Sequence, residues 1–253
     1  MMDFLATRQQ GDGKPLVLVH GYLGGAAMWD AQFAALSDRH HCMAPNLAGF
    51  GDSAHLRSPD TIEGHAALVL NTLDHLGVDS FQLLGHSMGG MVVQQMAAMA
   101  PGRIEKLILY GTGPVGLLPD RFETIETSRR RLAQDGLEAT ARRIAATWFE
   151  RGEAGQGYET CVREGAKASM QAALAALSSW ERWDGTDALS RVSMPTLVIW
   201  GDGDRSYGWR QPSALWRGIP GCRLAVVPGC AHNVHMEKPA IFNAIVADFL
   251  DTG

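Results

Sequence analysis

Three kinds of side chain stand where covalent chemistry could be done: a serine, a pair of aspartates and a pair of histidines. Ser87 lies in Gly85-His86-Ser87-Met88-Gly89, between two glycines. Asp202 and Asp204 lie in Gly201-Asp202-Gly203-Asp204-Arg205. His232 and His235 lie in Pro228-Gly229-Cys230-Ala231-His232-Asn233-Val234-His235. A serine hydroxyl is a poor nucleophile until a base removes its proton. An imidazole is a good base when a carboxylate fixes its tautomer and stabilises its charged form. Together the three types point to attack on an acyl carbonyl. Residue type alone does not choose between the two aspartates or between the two histidines.

The elements around these residues must bring them together. The short apolar run Ser80 to Leu84 precedes the serine, and Met88, Met91 or Val92, Gln95 or Met96, and Met99 recur after it at helical spacing. Ser87 is therefore expected on a sharp strand-to-helix turn, where side chains at the flanking glycines would crowd the backbone. Pro15 to Val19 reads as a strand buried on both faces and ends in His20-Gly21-Tyr22. Further strands are expected over about 2–9, 41–45, 104–110, 194–200 and 223–227. Helices are expected over about 26–36, 61–76, 211–217 and 239–250, with Thr61 as a cap and Gly77 as a stop. Strands alternating with helices at this spacing predict a doubly wound, mostly parallel α/β sheet. In such sheets ligands bind beyond the carboxyl ends of the strands. That edge is where the serine, the aspartates, the histidines and His20-Gly21-Tyr22 all fall.

The alternation stops between about Gly113 and Arg191. Helical stretches over roughly 119–134, 137–150, 156–170 and 172–182 take over, broken at Gly136, Gly152 and Gly155. Because the alternation resumes afterwards, this reads as a helical insertion between two strands. The predicted organisation is a core of 1–112 and 192–253 with a helical cap of 113–191. The insertion is rich in arginine: Arg121, Arg129, Arg130, Arg131, Arg142, Arg143, Arg151 and Arg163. Adjacent helical residues point about 100° apart, so at most one or two of each run can turn inward.

The whole chain narrows the classes. Its 253 residues suffice for a sizeable core, and 46% hydrophobic with 19% charged residues is ordinary for a globular protein. A net charge of −5 argues against nucleic acid or an anionic membrane as partner. No apolar run approaches the roughly 18 residues of a membrane span, and the N-terminus lacks the pattern of a secretory signal. Cys42, Cys161, Cys222 and Cys230 show no CxxC spacing, so neither zinc nor a disulfide framework is indicated. These features predict a cytoplasmic protein with reduced thiols.

Taken in order, the motifs resemble the α/β-hydrolase fold family over nearly the whole chain. They are His20-Gly21, Gly85-His86-Ser87-Met88-Gly89, Gly201-Asp202-Gly203-Asp204, and Ala231-His232 followed by Glu237-Lys238-Pro239. The resemblance implies Ser87 as nucleophile, Asp204 as acid and His232 as base, with an oxyanion hole from the backbone N–H groups of Tyr22 and Met88. It implies a helical cap, no cofactor and no metal. Asp202 then reads as a turn residue and His235 as a polar residue near the rim. His86 is expected to pack under the turn. His20 is expected to support the oxyanion loop, and it is also a candidate to touch substrate. Three departures concern only loops: Asn46 stands where an aspartate is usual, Ala48 where a proline is usual, and Ala231 where a glycine is common.

The expected function is a serine hydrolase acting on a small carboxylic ester or enol-lactone. The alternatives are a C–C bond hydrolase of a ring-cleavage product, a cofactor-free perhydrolase, a lyase-type synthase, or a non-enzymatic ligand receptor. The partner expected is a small acyl molecule. Candidate substrate contacts are Trp148, Arg205 and His20, with Trp180 and Trp183 as further pocket aromatics and the cap arginines as possible carboxylate ligands.

Overall fold

The computed structural model describes residues 4–117 and 121–252. Seven strands form one sheet: β1 (Thr7–Gln10), β2 (Lys14–Val19), β3 (His40–Pro45), β4 (Phe81–His86), β5 (Ile104–Tyr110), β6 (Thr196–Gly201) and β7 (Arg223–Val227). Their order is β1-β3-β2-β4-β5-β6-β7, and only β1 is antiparallel to its neighbour. This is the doubly wound, mostly parallel sheet that the alternation predicts. The first strand is shorter than expected, and residues 2 and 3 of that expectation lie outside the described residues.

The alternating strand residues explain the two cores. Val17, Val19, Leu83, Leu107 and Leu109 face one layer; Leu16, Leu18, Leu84, Ile108 and Tyr110 face the other. A strand buried on both sides has no polar face, hence the continuous apolar runs in the sequence. Helices α2 (Ile62–His75) and α3 (Met88–Met99) cover the first layer. The second is covered by α1 (Asp30–Leu36), whose Phe33 and Leu36 join Trp29 in one apolar stripe, and by the C-terminal helix over Pro239–Asp251. The Thr61 side chain accepts the Gly64 N–H at 3.1 Å, which caps α2. Gly77 ends it in the left-handed region at φ 71°.

Between β5 and β6 the chain is helical. It contains α4 (Ile125–Thr147), α5 (Tyr158–Ala166) and α6 (Met170–Glu181). At Gly136 the backbone turns to φ 79°, ψ 178°, so α4 is two helical stretches meeting at a break, where the sequence placed one. The expected helix start at 119 lies outside the described residues. These helices are tied to the sheet side by backbone bonds: Ser169 N–H donates to Gly49 O (2.9 Å), and Asn233 N–H to Trp148 O (3.0 Å). After β6 come α7 (Arg210–Gly218), the short α8 (Val234–Glu237) and α9 (Pro239–Asp251). No helix of the described residues is long and apolar enough to cross a membrane.

The strand order fixes where a site can form. The chain leaves β2 for β3 on one side and then crosses to β4 on the other. A crevice therefore opens above the carboxyl ends of β2 and β4.

Candidate active site

Ser87 sits at that crevice, between the end of β4 and the start of α3. Its backbone is at φ 58°, ψ −123°, a sparsely populated conformation for a residue with a Cβ. Close packing holds it there. A Cβ at Gly89 would lie 2.3 Å from Val19 O, and one at Gly85 would lie 2.4 Å from Gly89 O. The first turn of α3 thus presses against the end of β2, which only glycine permits. Ser87 N–H donates to Tyr110 O (3.0 Å), and Ser87 O accepts from Gly90 N–H (2.8 Å) and the Thr112 hydroxyl (2.8 Å). The backbone is fully engaged, and the half-buried side chain projects into a cavity.

His232 is delivered by the loop after β7 and Asp204 by the loop after β6. His232 Nδ1 lies 2.8 Å from Asp204 Oδ2, with both side chains buried. Asp204 Oδ1 accepts the backbone N–H groups of Ser206 (2.7 Å) and Tyr207 (3.0 Å). A carboxylate with this set of partners is an acceptor, so Nδ1 of His232 carries the proton and Nε2 is left with its lone pair. Asp202 is elsewhere: its exposed carboxylate accepts the Gly229 N–H at 2.7 Å and steadies the β7 loop. The Asp204 contact is the only side-chain hydrogen bond of His232 among the described residues. The Tyr207 ring stacks on His232 (centroids 5.7 Å, 12°), and its hydroxyl faces the side chains of Ser87 and Thr112.

Behind His232 lies a buried aromatic layer. The Tyr110 hydroxyl and His86 Nε2 both donate to the His232 carbonyl, at 2.7 and 3.2 Å, and so anchor its backbone. His86 stacks on Tyr110 at 4.5 Å, under the turn as expected. His235 is not at the rim. It is fully buried against Trp29 and within 3.0 Å of the Tyr110 hydroxyl, because α8 turns its side chain inward toward α1. Burial pushes His235 down to about 3 and His86 well below the ordinary imidazole range, so both are neutral.

The loop after β2 supplies donors opposite Ser87. Gly21 packs so closely that a Cβ there would lie 2.7 Å from Ser87 Cβ, and Leu23 takes the left-handed region at φ 52°. Among the described residues the backbone N–H groups of Tyr22 and Met88 have no protein acceptor. Met88 is the first residue of α3, so its N–H is also one of the helix's unsatisfied donors. His20 braces this loop. Leu47 N–H donates to its Nε2 (2.9 Å), so its Nδ1 is the protonated nitrogen and donates to Gly21 O (2.8 Å). Burial lowers His20 to about 4, and it is therefore a neutral strut. It does not line the cavity, so the substrate contact considered for it is replaced by a supporting one.

The cavity is small, about 30 Å³. Ser87, Tyr22, Met91 and Tyr207 line it from the sheet side, and Arg121, Phe122, Ile144, Trp148 and Trp180 from the helical segment. Trp148 and Trp180 therefore stand where the sequence placed them. Trp183 is buried outside the lining, its indole N–H directed at Gln95 Oε1 (3.4 Å). Arg205 points to solvent, because the turn that directs Asp204 inward directs its neighbour outward. Arg129 and Arg142 pair with glutamates near the surface, and the half-exposed Arg131 pairs with the buried Glu123 carboxylate. Tyr207 was missed, whereas Arg121, one of the cap arginines held as candidate carboxylate ligands, is in the lining. Tyr207 had one available signal, its position three residues beyond Asp204 on a strand-end loop. Asn46, the departure from the family pattern, uses both halves of its amide: Oδ1 accepts from Ala26 N–H (2.9 Å) and Nδ2 donates to Ala6 O (3.1 Å). An aspartate could not donate the second bond.

Fold and site together define an α/β-hydrolase architecture: a doubly wound sheet with a serine on a strained strand-to-helix turn and a histidine–carboxylate pair on later strand ends. The alpha/beta hydrolase fold family model matches residues 14–239, and the chain belongs to that family. It is 29% identical over 246 residues to a putative carbamate hydrolase of Azorhizobium caulinodans, covering 94% of this chain and 92% of the other. It is 27% identical over 256 residues to 2-hydroxy-6-oxo-6-phenylhexa-2,4-dienoate hydrolase of Burkholderia cepacia, covering 96% and 90%. Among solved structures, a thermophilic esterase from Thermogutta terrifontis superposes with a TM-score of 0.87 at 30% identity, over 97% of this chain and 92% of that one.

Proposed function

We propose that this protein is a serine hydrolase that cleaves small carboxylic esters or lactones through an acyl-enzyme on Ser87. The observation that carries the reading is the 2.8 Å His232–Asp204 contact, together with a serine on a strained turn and two acceptor-free backbone N–H groups, Met88 on that turn and Tyr22 on the loop after β2. In the reaction, His232 Nε2 takes the Ser87 proton as Oγ attacks the acyl carbonyl. The Tyr22 and Met88 N–H groups receive the developing oxyanion, a contribution of typically several kcal/mol. Asp204 stabilises the imidazolium, which then protonates the leaving group. Water activated by the same histidine releases the acyl group. No cofactor or metal is required. The helices between β5 and β6 act as a cap that closes the cavity over Ser87.

The same groups serve cleavage of a C–C bond next to a carbonyl, and the Burkholderia cepacia relative supports that as the second reading. A panel of short p-nitrophenyl esters, lactones and ring-cleavage products, assayed with wild type and Ser87→Ala, tests both readings. Ester or lactone turnover abolished in the variant is the expected result. Turnover confined to ring-cleavage products would favour the second reading, and turnover of any class that survives in Ser87→Ala would overturn the first.

A further inference from the structure

Among the described residues, the helical segment brings more positive charge to the cavity than its carboxylates pair with. The Glu123 carboxylate is buried and faces three arginines. Its Oε2 pairs with Arg143 (2.8 Å) and Arg131 (3.1 Å), and its Oε1 accepts the Ser128 hydroxyl (2.6 Å). Among the described residues Arg121 donates only from Nη1, to the Glu123 backbone carbonyl (3.2 Å) and the Ser128 hydroxyl oxygen (3.1 Å). Among the described residues Nε and Nη2 of Arg121 have no acceptor, and Nε and Nη2 of Arg143 are buried without one. Arg131 is half exposed and solvated. Among the described residues the Glu123 carboxylate is thus shared by Arg143 and Arg131 and makes no direct bond to Arg121.

Arg121 is also held in place. Its guanidinium lies 4.8 Å from the centre of the Phe122 ring and 5.5 Å from that of Trp180. It lines the same tight cavity as Ser87 and Tyr207. Burial works against its charge, and a guanidinium stays protonated nonetheless. Buried charge without a partner is costly, and a planar fork with free donors matches a carboxylate.

We propose that Arg121, supported by Arg143, is the subsite for a carboxylate carried on the acyl part of the substrate, so that the preferred substrates are half-esters of short dicarboxylic acids or lactones bearing a free carboxylate. The inference rests on the serine-hydrolase reading for the acyl group but not for the anion. Trp148 and Trp180 line the same cavity as Arg121 and Ser87, and the small size of the cavity keeps the linking chain short. Of the arginines on the helical segment, Arg121 alone combines unfilled donors with a place in the lining.

The test has an arm without turnover. Calorimetric titration with glutarate is carried out on wild type, Arg121→Gln and Arg121→Lys. The expected result is binding that weakens with salt, is lost in the glutamine variant and is partly restored by lysine. The second arm measures kcat/KM for p-nitrophenyl hemiglutarate against p-nitrophenyl valerate. The wild type should favour the anionic ester, and Arg121→Gln should lower that ratio by about ten- to a hundredfold. Absence of glutarate binding, or equal binding in Arg121→Gln, overturns the subsite whatever the turnover. Glutarate binding that depends on Arg121, with neither ester hydrolysed, upholds the subsite and counts against the serine-hydrolase reading instead. A ratio unchanged in Arg121→Gln, with both rates altered equally, assigns Arg121 a purely structural role.

Discussion

The two sides of the cavity are built on different principles. On the sheet side, each group of the proposed triad is held through backbone: a strained turn for Ser87, two N–H donors for Asp204, two donors on the His232 carbonyl. On the helical side, the wall is made of side chains, Arg121, Phe122, Ile144, Trp148 and Trp180, on elements that meet the sheet through a few tethers. Backbone-held groups serve a reaction that tolerates little displacement. A side-chain wall can change without disturbing them. Substitutions on the sheet side should therefore abolish turnover, and those on the helical side should redistribute it among substrates.

The largest effects belong to the sheet side. Asp204→Asn should lower kcat/KM by about 10⁴-fold, because an amide no longer enforces the tautomer that leaves His232 Nε2 free. Asp202→Asn should stay within a few-fold, since its carboxylate only steadies a turn. Equal losses in steady-state assays of the two would break the distinction between them. Trp148→Ala is the matching change on the helical wall. It should raise KM by about tenfold for small esters with little change in kcat, as expected when binding common to ground and transition states is removed. A kcat loss as large as that of Asp204→Asn would show that the two sides are not separable.

Glu237 joins them. Its carboxylate accepts Glu150 N–H and Ala231 N–H, each at 2.7 Å, and so ties the turn after α4 to the His232 loop. Burial raises its pKa, and the two N–H donors work against that rise. Glu237→Ala leaves two donors without their acceptor and should cost about 1–3 kcal/mol of stability, read from urea unfolding. No change would mean that the tether is dispensable.

The smallest effect is on pH dependence. His20 and His235 hold folded-state values of about 4 and about 3, below the roughly 6.5 of an unfolded chain. As pH falls through 6.5 the unfolded chain takes up protons that the folded protein refuses. Stability is therefore full above that point and is lost progressively down to about pH 4. Thermal unfolding followed from pH 7.5 to 4 should show Tm falling below 6.5, and a flat profile would contradict the buried neutral state of these rings.

The same contrast explains what the sequence made legible. The sheet was readable because a two-face-buried strand writes its burial as a continuous apolar run, and glycines mark where backbones must touch, as at Gly85 and Gly89. The ends of those strands then narrowed the polar candidates to a few loops. Contacts that depend on side-chain direction were not readable. Arg205 and His20 stand beside important residues in sequence yet point away from the cavity. Arg121 and Tyr207 reach it, and no periodicity announces them. His235 showed no sign of burial, because its environment comes from α1 and β5, which are distant in the chain.

The central claim is that Ser87 is the nucleophile, and covalent trapping tests it most directly. The intact protein is treated with a fluorophosphonate and the adduct is mapped by peptide mass spectrometry, with wild type, Ser87→Ala and His232→Ala compared. The account predicts one adduct per chain on Ser87 in the wild type, none in Ser87→Ala, and slow labelling in His232→Ala. An adduct on another residue, or hydrolysis that continues in Ser87→Ala, would contradict it.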